Sequence, residues 1–87
     1  MEHPYKLGQK YLVRTVTMYH VGRLEEVYQQ ELVFTDCSWV ADTGRFNKAL
    51  TDGVLEEVEP IPGSVIVGRG SIVDVEEWNH PLPEKVK

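Results

Sequence analysis

A single cysteine, Cys37, is the only thiol in this chain, so no internal disulfide can brace it. The histidines His3, His20 and His80 stand too far apart for a zinc-ligand spacing, and neither a metal nor a cofactor is expected. No apolar run approaches the ~20 residues that cross a bilayer. Met1 to Gln9 is polar, unlike the apolar stretch of an export signal. A lone thiol without an export signal fits a reducing cytoplasm. Positive charge is scarce too: nine Lys and Arg face fourteen Asp and Glu, a net charge of −5. That excludes broad nucleic-acid binding, which needs a positive surface. It leaves room for a local basic pocket if Arg14, Arg23, Arg45 and Arg69 converge.

What is present makes one domain, spanning residues 1–87. A chain this short buries only about 60% of its unfolded surface, so its own core stabilises it modestly. With disulfide and metal set aside, self-association is the remaining stabiliser, and a homo-oligomer is expected.

Residues 1–10 form a lead-in, 11–78 the core and 79–87 an extended tail, in which Pro81 and Pro83 forbid a regular ladder or helix. Tyr11 to His20 is rich in β-branched and aromatic residues and reads as one strand, with Leu12, Val16 and Met18 on one face. Gly22 permits a bend before a second strand over Arg23 to Tyr28, and Gln29-Gln30 turns the chain. In Glu31 to Val40, Leu32, Phe34 and Val40 alternate with Val33, Cys37 and Trp39. Both faces are apolar, so this strand is expected to be covered on each side.

A helix is predicted near 43–52: Phe46 and Leu50 share a face, Asp42 or Thr43 can cap the first amides, and Gly53 ends it. Val54 to Glu59 is a short strand, and Ser64 to Val75 is strongly β, with Gly68 and Gly70 around Arg69. The fold class is therefore mainly β: a small five-stranded barrel or rolled antiparallel sheet with one short helix.

Two segments carry candidate binding chemistry. Thr43-Gly44-Arg45 leads into the helix, where free amides and the helix dipole suit an anion. Arg45 can grip phosphate with two donors, and Trp39 and Phe46 can stack on a base. Arg69, between its glycines, is the second cation; in an oligomer it would face a shared interface. The competing reading gives Arg45 a surface ion pair and puts both aromatics in the core. No catalytic group is expected. Cys37 lies mid-strand among apolar neighbours, Ser38 and Ser71 lack a partner His and acid, and the Glu pairs read as solvated faces.

Gly22-Arg23-Leu24 followed by Glu31-Leu32-Val33-Phe34-Thr35-Asp36, with Val67-Gly68-Arg69-Gly70-Ser71-Ile72-Val73, resembles the two motifs of the Sm-like barrels. That resemblance implies edge-joined rings of six or seven subunits and RNA binding. Here Glu31 stands where that family has a base-contacting Asn, and a carboxylate repels phosphate. Trp39 to Phe46, Glu57 to Pro60 and Trp78 to Pro83 are similar to a family of small phage and prophage proteins of undescribed activity. The resulting expectation is a non-enzymatic, phage-type accessory protein in the host cytoplasm. It would assemble with itself and bind a small anionic ligand such as a nucleotide signal, in defence counteraction. A structural or protein-interaction module, in a virion or on a host protein, is the alternative, and Sm-type RNA binding a weaker one.

Overall fold

The computed structural model describes residues 3–87, so Met1 and Glu2 of the expected lead-in lie outside the described residues. Six strands and one helix follow in the order β1 (Lys10–Thr15), β2 (Tyr19–Val27), β3 (Glu31–Asp42), α1 (Phe46–Asp52), β4 (Glu57–Pro60), β5 (Val65–Gly68) and β6 (Ile72–Glu77). A 3-10 turn, Arg69–Ser71, joins the last two strands. Every pairing is antiparallel, in the order β4-β3-β2-β1-β6, with β5 also on β3. The fold is mainly β with one short helix, as expected. Of the two expected forms the antiparallel sheet is the one observed, with six strands rather than five, and it does not close into a barrel. The reason is the length of β3. Its free edge takes β5 against Glu31–Phe34 and β4 against Ser38–Asp42, while β6 pairs only with β1.

The predicted strand Tyr11 to His20 is broken in two. Thr15 makes the break: its N–H and hydroxyl both donate to the Met18 carbonyl, and the hydroxyl accepts the Met18 N–H. Val16 and Met18 therefore sit at a hairpin tip instead of on Leu12's face, and Val16 is 74% exposed.

The alternation expected along β3 also shifts. β2 pairs Arg23 with Thr35 and Val21 with Ser38, so two residues of β3, Asp36 and Cys37, lie across from Gly22 alone. This is a β-bulge, and Asp36 takes the left-handed conformation at φ 48°. The extra residue reverses the phase. Leu32, Phe34 and Cys37 share one core with Tyr11, Val13, Leu24 and Val67. Val40 falls on the other face, in a second core with Leu12, Val21, Ala49, Leu55, Val58 and Trp78. Both faces of β3 are covered, as the sequence implied: the other strands and Tyr5 close over the first core, and the helix and tail cover the second.

The helix α1 starts later than predicted. Arg45 occupies the cap position without a side-chain bond, because the Asp42 carboxylate accepts the Gly44 N–H instead. Ala49 is buried on the second core, flanked by Phe46 and Leu50. Gly53 ends the helix as predicted, at φ 73°, its N–H donating to the Ala49 carbonyl. A side chain there would meet the His80 ring, 2.6 Å from where its Cβ would lie.

That ring belongs to the tail, which docks on its own sheet. Trp78 is buried and its Nε1 donates to the Pro81 carbonyl; His80 Nε2 donates to the Leu50 carbonyl at 2.7 Å. Leu82 packs on the second core, and Lys87 exchanges both backbone hydrogen bonds with Val58 of β4.

Candidate functional site

The six residues singled out from the sequence fall into separate places. After β3 the chain turns through Gly44, which lies in the left-handed region at φ 69°. The Thr43 hydroxyl donates to the Gly44 carbonyl, and the Gly44 N–H is taken by Asp42. Phe46 serves the core, its ring centroid 6.1 Å from that of Tyr19. Trp39 pairs across strands with His20 and Glu59 and is half-buried. Arg45 is exposed and, among the described residues, forms no ion pair.

Arg69 stands at the other end of β3. Its N–H donates to the Gln30 carbonyl, just before the strand, whereas Arg45 follows the strand's last residue, Asp42. About 35 Å of strand lies between those points at the usual rise per residue. A single chain therefore does not bring the two arginines together. The Arg69 guanidinium donates to the Tyr28 carbonyl at 2.8 Å and lies over the Tyr5 ring, 5.5 Å from its centroid. Gly68 and Gly70 are not needed for a close approach: a Cβ at either would meet nothing within 4 Å.

Cys37 is buried and His20 half-buried, and both titrations are shifted by that burial. Burial pushes the Cys37 thiol up to about 12, which suppresses the thiolate at neutral pH. His20 is half-buried, and desolvation lowers its pKa, favouring the neutral ring. Among the described residues no three His, Cys, Asp or Glu side chains gather into a metal-holding group, and no helix is long and apolar enough to cross a membrane.

The most distinctive charged group is on β1 and β6. Arg14 pairs with Asp74, and Glu76 lies next along the same face of β6. The Arg14 guanidinium holds Asp74 below its ordinary pKa. Glu76 goes the other way, raised by burial first and the Asp74 charge second. Its Oε1 is buried without a hydrogen-bond partner among the described residues.

The outer edge of β6 is a candidate site that sequence reasoning missed. The Trp78 N–H donates to the Lys10 carbonyl, which fixes the alternation of the ladder. Glu76 then faces β1, level with Leu12, while Val75 and Glu77 turn their backbone N–H and C=O groups outward. Among the described residues no strand pairs with that edge. A cleft of about 520 Å³ runs beside it, lined by Tyr5, Tyr11, Arg69, Ile72, Val73, Val75 and Glu77 among others. Two other clefts, of about 490 and 430 Å³, lie along the docked tail; the second reaches Arg23, Asp36 and Cys37. The alternation Val73-Asp74-Val75-Glu76 was a visible strand signal, but which side of the strand stays unpaired is a property of the sheet order.

Comparison with protein families, with curated proteins and with solved structures gives no match.

Proposed function

We propose that this protein is a non-catalytic binding module that takes up an extended segment of another chain along the outer edge of β6. One observation carries the reading: Val75 and Glu77 turn backbone groups away from β1 with no strand paired to them among the described residues, beside a cleft that Tyr5 and Arg69 also line. An added strand satisfies such an edge main chain to main chain, and its alternate side chains enter the flanking cleft. The buried, high-pKa thiol of Cys37 fits a binder better than a catalyst.

The test is an array of extended eight-residue peptides probed with the wild type, Glu77→Pro and Glu77→Gln. Proline at 77 removes an outward N–H and leaves the ladder to β1 intact. Capture by the wild type and Glu77→Gln, lost in Glu77→Pro, supports the reading. Capture indifferent to the proline sinks it.

A second reading, a homo-oligomer that sequesters a small anion such as a nucleotide signal, is favoured by Arg45, exposed beside the Gly44 turn and free of ion pairs among the described residues. Native mass spectrometry with mono-, di- and cyclic nucleotides tests it. A mass gain lost in Arg45→Ala supports it, and no gain at millimolar nucleotide excludes it.

A further inference from the structure

We infer that the segment taken up on the β6 edge alternates apolar and basic residues. The inference rests on the edge-binding reading above and specifies the class of its partner.

The two sides of the edge differ in chemistry. Val75 packs with the first core, on the side where Tyr5 and Tyr11 also lie, their rings edge to face with centroids 6.0 Å apart. The opposite side carries Asp74 and Glu76, next in line to the buried Trp78. Arg14 neutralises Asp74 alone. Glu76 is left with a buried oxygen that has no partner among the described residues.

An added strand bonds to the backbone of Val75 and Glu77, so its residue level with Glu76 falls on the acidic side. The residues before and after it fall on the Tyr5 side, level with Val75 and with Glu77, whose carboxylate has the Lys6 ammonium 3.9 Å away. Like charges directly opposite one another across a strand pair are destabilising, and opposite charges are favourable. A Lys or Arg level with Glu76 sets an opposite charge across from its carboxylate, while apolar neighbours enter the aromatic cleft. Like-charge repulsion also sets aside a second copy of this chain as the occupant. The antiparallel register that joins Val75 of one copy to Glu77 of the other places Glu76 directly across from Glu76 of the partner subunit.

The experiment is fluorescence anisotropy with three labelled eight-residue peptides alternating Val and Lys, Val and Glu, or Ser and Lys. The wild type is expected to bind the Val/Lys peptide at least tenfold more tightly than either of the others. That preference over Val/Glu should shrink in Glu76→Gln and at high salt, and binding should vanish in Glu77→Pro. Unfolding curves establish that each variant is folded; if Glu77→Pro is not, slowed exchange of the Val75 and Glu77 amides under Val/Lys peptide replaces it. Equal, proline-sensitive binding of Val/Lys and Val/Glu overturns the partner class and leaves edge binding standing. Failure of all three peptides overturns both. Concentration-dependent dimerisation lost in Glu77→Pro assigns the edge to a second copy and overturns the inference.

Discussion

Gly22 of β2 lies against Cys37 of β3 so closely that a Cβ at position 22 would sit 2.9 Å from the Cys37 Cβ and 3.0 Å from its Cα. The contact is a consequence of the bulge, because Asp36 and Cys37 together occupy the space across from one residue. Backbone bounds the gap, so a methyl group has no flexible side chain to displace. Gly22→Ala should therefore destabilise by about 1–3 kcal/mol, the usual range for overpacking. Gly68→Ala is the control: a Cβ there meets nothing within 4 Å and φ is −69°, so stability should hold or rise slightly. Urea unfolding midpoints of the two variants separate these outcomes.

Trp78 fixes the tail to the second core with its side chain and, through Nε1, with a bond to Pro81. Trp78→Ala should cost about 3–5 kcal/mol, as for other buried aromatics. It should also speed proteolysis of residues 79–87, which limited digestion followed by mass analysis reads directly. A tail cleaved no faster than in the wild type would mean that something other than Trp78 holds it.

The carboxylates on β6 give opposite dependences on pH. Glu76 has its pKa raised by burial first and by the Asp74 charge second, so its charged form is disfavoured in the folded state. The penalty is present once the pH is above the folded pKa and disappears as the pH falls through the carboxylate range. Glu76→Gln mimics the protonated form and should raise the unfolding midpoint at neutral pH, with the gain fading on acidification. Asp74, lowered by Arg14, contributes stability above its ordinary pKa that is lost as the pH falls through its folded pKa. Asp74→Asn should accordingly lower the midpoint at neutral pH and have less effect in acid. Thermal melts at a series of pH values check both signs.

The Cys37 thiol, 1% exposed and pushed up to about 12, should not react with a thiol-specific disulfide reagent at neutral pH. Reaction should occur only at the rate at which the protein opens, and become immediate in denaturant. Fast stoichiometric labelling of the native protein would contradict the burial described here.

Much of the fold was legible where local chemistry decides it. Gly53 ends α1 and Gln29-Gln30 turns the chain, the Tyr28 N–H donating to the Glu31 carbonyl. Apolar residues on both faces of β3 announced a doubly covered strand. The misses have physical causes. The turn at Val16 to Met18 contains no Gly, Pro or Asn and is held by Thr15, through its N–H and its hydroxyl. Asp36 shifts the phase of β3 by one residue, and no alternation rule anticipates a single left-handed Asp. Whether Arg45 and Arg69 converge was open because sequence gives no distance, and β3 sets them at its two ends. The free edge of β6 was hidden for the same reason: it depends on which strands β1 and β3 recruit.

Amide hydrogen exchange along β6, with and without the Val/Lys peptide, tests the central claim most directly. In the free protein the account predicts slow exchange at Glu76 and Trp78, which bond to β1, and fast exchange at Val75 and Glu77. Adding the peptide should slow Val75 and Glu77 and leave Glu76 and Trp78 unchanged. Uniform protection along β6 in the free protein, or fast exchange at Val75 and Glu77 that saturating peptide does not slow, would contradict a free edge that takes up a partner strand.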